Sequence, residues 1–425
     1  MTQNVELNKN KLTDSTDTAY ASSRSRAWAE INLSSLAHNV QYLQSLLPAR
    51  CTLMPVVKAN AYGHGAALIA GALNAQGIRS FCVACVSEGV ELRSQNIAGE
   101  ILVLGYTHPD QFPLLDQYAL TQTVVDQTHA LALSAYACSA SRRSFFLSQK
   151  QKGADLQTIS PLPVHIAIDT GMHRLGTPAE NVELIREMFA LPGLQITGMY
   201  SHLAAADGTD PASRSFTEEQ INAFYRLTPQ LGKCLCSPQC KSKTASPCVK
   251  LHLQASYGIL HYPLLDMDCA RPGIALYGLL SNAADTHAYA DRLQPVLSLR
   301  ARVASVHQLS PGESAGYDMA YTATRPTTIA TITIGYADGL PRSLSEGRGT
   351  VLLHGKPAPI VGRICMDQLL ADVTAISEVK PGDIATLIGN DGQENISAAD
   401  LADACSTITN ELLSCLGPRL ERVAL

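Results

Sequence analysis

An α/β fold is predicted: a (β/α)8 barrel followed by a smaller, mainly β C-terminal domain. Three observations predict it. Eight short apolar runs alternate with helix-patterned segments between Leu53 and Ala270, in a stretch of roughly the size a barrel needs. Beyond residue 285 the helical period fades into short runs punctuated by Gly, Pro and Asp. The chain of 425 residues, 46% hydrophobic, is long enough to bury the large core such a fold requires. A doubly wound sheet is the competing topology.

Residues 1–26 are rich in Asn, Thr, Ser, Lys and Asp and read as a disordered tail. The run Trp28 to Leu33 alternates like a strand and is expected to pair with the C-terminal β domain. Ser34 and Ser35 follow as candidate N-caps for a helix from Ala37 to Leu47. The barrel strands are expected at Leu53 to Val57, Phe81 to Val86, Ile101 to Leu104, Thr121 to Val125, Val164 to Ile168, Ile196 to Tyr200, Val249 to Leu253 and Met267 to Ala270. Helices are expected between them at Gly65 to Asn74, Ser87 to Gln95, Asn181 to Phe189 and Thr217 to Leu227. The β domain, residues 286–425, is expected to hold strands at Val296 to His307, Thr327 to Ile334, Val351 to Leu353, Pro359 to Val361, Leu369 to Val373 and Ile384 to Ile388. The barrel is then residues 27–285.

A net charge of −5 with thinly spread basic residues gives no footprint for nucleic acid, and no apolar run is long enough to cross a bilayer. Residues 1–26 carry no export signal, so a cytoplasmic location is expected, with the 12 cysteines mostly reduced. Cys234, Cys236, Cys240 and Cys248 lie in a polar segment without paired C-x2-C knuckles. A surface insertion is expected there, and no metal.

The run Val56 to Gly65 delivers Lys58 from an apolar strand into a Gly-punctuated turn with Tyr62 and His64. Desolvation at such a strand end lowers an amine's pKa and frees it to form an imine with an aldehyde. Taken alone, the lysine equally suits a solvated strand end. Other strand ends carry polar groups too: Asp169 to Gly176, Ser201-His202, His252 with Ser256, and Arg271 to Ile274. Gly273-Ile274 with Ser256 and Tyr62 offer N–H and hydroxyl donors for a phosphate. An imine-forming lysine beside a phosphate cradle points to pyridoxal 5'-phosphate. Arg271 suits its ring nitrogen, since a guanidinium cannot yield its proton, and His202 is expected to hydrogen-bond Arg271. The β domain adds the Gly-rich turns around Tyr317, Tyr336 and Met366. A phenol at Tyr317 facing Lys58 would provide two bases on opposite sides of a planar adduct.

In combination, VVKANAYGHG, DTGMHRLG, RPGIALYGL, IGYADG and VGRICMDQ resemble the alanine racemase family, fold type III pyridoxal-phosphate enzymes, over nearly all of Trp28 to Arg419. Around CVACVSEGVELR the chain is also similar to the racemase domain of vancomycin-resistance serine/alanine racemases. The resemblance implies that Lys58 holds the cofactor and acts on the D substrate. Tyr317, from the partner subunit of a homodimer, would act on the L substrate. It further implies phosphate contacts from Tyr62, Ser256, Gly273 and Ile274, the ring nitrogen at Arg271 supported by His202, and the substrate carboxylate and cofactor oxygen at Arg174. Met366 would help at that carboxylate and Tyr336 would line the entrance. The implied activity is interconversion of L- and D-alanine, supplying D-amino acid for peptidoglycan.

Three departures stand out. Ala167 replaces a lysine, often carbamylated, two residues before Asp169. Cys415 replaces a phosphate-contacting tyrosine, which enlarges the substrate side and implies that serine is accepted. His252-Leu253-Gln254-Ala255-Ser256 keeps only the ends of a His-x-Ala-Asn-Ser run. A non-catalytic cofactor-binding regulator and a fold type III amino-acid decarboxylase are the alternatives. The regulator reading is disfavoured by the β domain, the decarboxylase by the second base.

Overall fold

The computed structural model describes residues 24–149, 160–235 and 249–425. It separates into two compact units: the barrel, Asn32–Val296, and a β unit that joins residues 24–31 to Leu297–Leu425. Cys234 is described, in a short helical turn, whereas Cys236, Cys240 and Cys248 lie outside the described residues.

Strand β1 (Ala27–Ile31) precedes the barrel and belongs to the β unit. The barrel strands are β2 (Thr52–Leu53), β3 (Ser80–Val83), β4 (Glu100–Val103), β5 (Thr121–Val124), β6 (Leu162–Asp169), β8 (Leu194–Tyr200), β9 (Lys250–His252) and β10 (Cys269–Ala270), with a two-residue β7 (Thr177–Pro178) beside the end of β6. They run parallel in the order β3-β4-β5-β6-β8-β9, and β10 pairs with β2. Backbone bonds close the ring. Asp268 N–H donates to Leu251 at 2.9 Å and Arg271 N–H to Gln254 at 2.7 Å. On the other side Cys82 N–H donates to Pro55 at 2.8 Å and Val57 N–H to Cys82 at 2.9 Å. The ladder between the first and last strands is shorter than the apolar run: Val56 N–H still donates to the Pro272 carbonyl at 2.8 Å, but Pro272 has no N–H to return to Met54.

Phe81, Ile101, Leu102, Val103, Val164 and Ile166 are fully buried, as continuous apolar strands covered on both faces should be. The first helix spans Leu33–Leu46, and its cap is Asn32 rather than Ser34 or Ser35. The Asn32 carboxamide oxygen accepts from both serine N–H groups at 3.0 Å, so the helix begins before the polar pair that marks it in sequence. Buried Asn39 then ties this helix to Leu276 and Gln294. The barrel unit therefore continues past residue 285 to Val296.

The β unit contains β11 (Leu297–Leu309), β12 (Ser314–Ala315), β13 (Tyr321–Thr322), β14 (Thr327–Ile332), β15 (Thr350–Leu353), β16 (Lys356–Val361), β17 (Leu369–Asp372), β18 (Ile384–Asp391), β19 (Glu394–Ile396) and β20 (Glu421–Ala424). Its main sheet is ordered β19-β18-β15-β16-β17-β14-β11-β1-β20. β1 lies antiparallel to β11, with Ala27 opposite Ala301, and parallel to β20, with Trp28 opposite Glu421. Trp28 is fully buried there. Two short helices that the strand pattern does not foretell, Ala398–Ala404 and Thr409–Ser414, make the unit mainly rather than wholly β. Among the described residues no helix is long and apolar enough to cross a membrane.

Candidate active site

Lys58 opens the turn that leaves the first barrel strand. The four residues after it, Ala59, Asn60, Ala61 and Tyr62, hold φ between 51° and 55°, a full turn of left-handed backbone without a glycine in it. Each such residue costs about 1 kcal/mol or more, so the turn needs fastening. Glu88 supplies it: one carboxylate oxygen accepts Ala59 N–H and the other Ala84 N–H, both at 2.7 Å. Asn60 accepts Ala66 N–H at 2.8 Å, and Gly63 and Gly65 complete the turn at positive φ. The His64 ring stacks on Tyr277 at 4.4 Å. Burial, and then the nearby Arg174 guanidinium, lower the Lys58 pKa below the usual lysine value. That shift favours the neutral amine.

The turn directs Tyr62 toward Gly273. A Cβ placed on Gly273 would lie 2.7 Å from the Tyr62 hydroxyl and 3.9 Å from Ser256 Oγ, so only a glycine leaves this space open. Ser256 Oγ accepts the N–H groups of Gly273 at 3.0 Å and Ala275 at 3.1 Å, at the start of the short helix Ile274–Tyr277. Burial raises the Tyr62 phenol to about 12, which keeps it a neutral donor. Two hydroxyls and backbone N–H groups around a glycine form a donor set suited to a phosphate.

Arg271, 3% exposed, is held on three sides. It donates to the Ser201 carbonyl at 2.7 Å, to the Leu253 carbonyl at 3.1 Å and to Nδ1 of His252, and it lies 4.8 Å above the Tyr200 ring. The partner of Arg271 is thus His252, not His202. His202 stays close enough to feel Arg271, yet among the described residues its ring makes no hydrogen bond. Burial, and then the charges of Arg271, Arg174 and Lys58, push its imidazole down to about 3, so it is neutral. Arg174 is exposed, on the loop that Asp169 pins by accepting Gly171 N–H at 2.9 Å and His173 N–H at 3.0 Å. Ala167 is 4% exposed and presents only a methyl group where the lysine of the common pattern would stand.

The barrel therefore brings together Lys58, Tyr62, Arg174, His202, Ser256, Arg271, Gly273 and Ile274. The other expected residues belong to the β unit. There Tyr317, 65% exposed, and Met366 line a cleft of about 550 Å³ with Gly316, Cys365, Asp367 and Gln368. The Tyr336 and Ala337 N–H groups donate to the Cys365 and Met366 carbonyls at 3.0 Å each, which ties the Tyr336 turn to the Met366 loop. Buried Asp338 clamps them, accepting from Arg26, Arg419 and Gly335 N–H. Cys415 caps the helix Thr409–Ser414 and is exposed.

Several residues near Arg271 escape the motif reading. His165, Glu100, Lys250 and Tyr200 surround its histidine partner. The one signal for them in the sequence is a polar residue lodged in or at the start of an apolar strand run.

Comparison with known proteins fits this geometry. The alanine racemase N-terminal domain family matches residues 31–281 and the alanine racemase C-terminal domain family matches residues 296–424. The chain is 40% identical over 395 residues to an amino-acid racemase of Enterococcus faecalis and 38% identical over 396 to a serine/alanine racemase of Enterococcus gallinarum. Each alignment covers 93% of this chain and 51% of the relative, so the chain spans about half the length of these two proteins. It is 38% identical to an alanine racemase of Nostoc sp., covering 96% of this chain and 97% of that one. Among solved structures, alanine racemase from Clostridium difficile aligns with TM-score 0.81 at 31% identity, covering 94% of this chain and 96% of the other. The Bartonella henselae alanine racemase with covalently bound pyridoxal phosphate aligns at 0.73 and 29%, covering 94% and 100%.

Proposed function

The chain belongs to the alanine racemase family, and from that premise we propose that it is a pyridoxal-phosphate-dependent racemase of alanine and serine, acting as a homodimer with shared active sites. The supporting observation is the cradle of Gly273, Ser256 and Tyr62, which shares one barrel unit with Arg271 and the amine of Lys58. When bound, pyridoxal phosphate withdraws electrons from the substrate α-carbon and acidifies its C–H bond.

The protein's part is to hold and move protons. Tyr62, Ser256 and the N–H groups at Gly273 and Ile274 would grip the phosphate. Arg271, a donor only, would leave the ring nitrogen without a proton of its own, and neutral His202 adds no charge to that end of the site. Lys58, whose burial favours the free amine, would take the α-proton of the D substrate and return one to form it. The Tyr317 phenol of the partner subunit would do the same for the L substrate on the opposite face. Arg174, aided by the partner's Met366, would hold the substrate carboxylate, and Tyr336 would line the entrance. The exposure of Tyr317, Met319, Tyr336 and Met366, at 42–72%, suits a face that a second copy covers. Supply of D-alanine for peptidoglycan is the cellular role this reading implies.

Complementation tests the shared site. Lys58→Ala and Tyr317→Phe homodimers should each lose at least about a thousandfold in kcat. Dimers mixed from the two variants should regain activity, because one of their two sites then holds both native bases. No recovery in verified mixed dimers would place both bases in one subunit and reject the shared site.

Serine enters through Cys415, which is smaller than the tyrosine of the common pattern, and the Enterococcus gallinarum relative is named a serine/alanine racemase. The kcat/KM for serine should lie within about a hundredfold of that for alanine, the range that one small side-chain difference commands. Cys415→Tyr should lower the serine value selectively. Negligible serine turnover by the native enzyme would restrict it to alanine.

A further inference from the structure

Arg271 is a buried cation whose immediate partners are two carbonyls, an imidazole and an aromatic face, with no carboxylate among the described residues that bond it. Its histidine partner leads to one. His252 Nε2 lies 3.0 Å from His165 Nδ1. His165 Nε2 lies 3.1 Å from one oxygen of Glu100, and the other Glu100 oxygen accepts from Lys250 at 2.7 Å. Glu100 and Lys250 are the first residues of β4 and β9, His165 is inside β6 and His252 ends β9. The chain therefore runs through the barrel interior from its amino-terminal mouth to the candidate site. Both rings are wholly buried, and Tyr200 stacks on His252 at 4.8 Å.

Only one arrangement of protons satisfies every contact. A guanidinium donates and never accepts, so His252 Nδ1 must carry a lone pair. The proton of neutral His252 is then on Nε2 and points at His165, whose Nδ1 must accept it. His165 in turn keeps its proton on Nε2 and gives it to Glu100. A proton added to either ring would face another donor.

We propose that Glu100, His165 and His252 form a one-way hydrogen-bond relay that fixes the aim of Arg271, which makes them positioning residues for the ring that Arg271 meets. The identity of that ring rests on the cofactor reading above, whereas the order of protons does not. Burial excludes charge on His252, and its pKa is well below the ordinary histidine value for that reason first and for the nearby Arg271 charge second.

Glu100→Gln gives the relay a specific way to fail. The amide oxygen should turn to Lys250, since an NH2 group cannot face an ammonium, and the amide NH2 would then meet His165. Both rings would have to shift their proton to Nδ1, and His252 would confront Arg271 with a donor. Adding Lys250→Met removes the reason for the amide to turn, so the double variant should restore the original order.

The experiment is nitrogen-15 NMR of histidine-labelled full-length protein as purified, with His165 and His252 assigned through single His→Gln variants, alongside kinetics. In the native protein both rings should be neutral with the proton on Nε2. Glu100→Gln should move both protons to Nδ1 and lower kcat about tenfold with KM changed less than about twofold, and Lys250→Met in that background should recover most of the loss. A native ring that is cationic or protonated on Nδ1 alone overturns the relay, even if Glu100→Gln does not fold. So does a Glu100→Gln enzyme that folds with unchanged kcat, or a double variant no better than the single one. A native sample lacking the visible absorbance of bound pyridoxal phosphate would sink the cofactor reading, while the ring protons in the same sample still judge the relay.

Discussion

Glu100 shows how one side chain couples stability to the site. Its burial alone would raise the carboxyl, but the hydrogen bond from His165 and the charge and hydrogen bond of Lys250 outweigh it and hold the group below the 4.5 of a free glutamate. A depressed carboxyl stabilises the fold fully above the free value and ceases to as pH falls toward the folded one. The native protein should therefore lose stability, on the order of 1 kcal/mol, between about pH 7 and pH 3 that Glu100→Gln does not lose. Denaturant titrations of both proteins at the two pH values check this, and parallel acid losses would deny Glu100 that role. Residues such as Lys58 and Arg271 are legible in the sequence because each directly follows a mainly apolar run, where a polar group has a reason to be. His165 lies inside such a run, and nothing local distinguishes a relay member from a solitary buried imidazole. The pairing of Arg271 with His252 rather than His202 depends on which way two strand ends point, which spacing does not encode.

At the scale of the element, the left-handed turn Ala59 to Tyr62 is the costliest local structure beside the candidate site. Its lack of glycine makes it stiff, and Glu88 and Asn60 hold it from outside. Ala59→Val should destabilise the protein by about 1–2 kcal/mol, because a β-branched residue suits this backbone least, although Ala59 is exposed. Ala59→Gly should be close to neutral, with relieved strain offset by greater freedom of the unfolded chain. Thermal or denaturant melts would measure both, and a harmless valine would argue against the strained turn. The eight barrel strands are visible in the sequence because a strand covered on both faces is apolar throughout. Their lengths are less visible, since Pro272, on the neighbouring strand, ends a ladder that hydrophobicity would extend. The first helix begins at Leu33 because Asn32, hidden at the end of an alternating run, outcompetes the two serines after it. The helices Ala398–Ala404 and Thr409–Ser414 are too short to establish a period.

For the whole molecule, the change from alternating strand and helix to Gly-rich strands gives the two-part organisation, and the resemblance of the motifs extends over both parts. What the pattern along the chain leaves open is sheet order. The position of β1 between β11 and β20 joins segments almost four hundred residues apart; the sequence assigns β1 to the β domain, but the alternation that does so does not name its two neighbours. A temporal consequence follows from that strand. Made before the barrel, β1 with its fully buried tryptophan must wait unpaired while the entire barrel is translated and has every opportunity to fold. Until β20 is made, one of its two edges has no partner, so the β sheet can be completed only after the barrel and the rest of the β unit have been synthesised, and anything that shields Trp28 during that interval protects the nascent chain from aggregation.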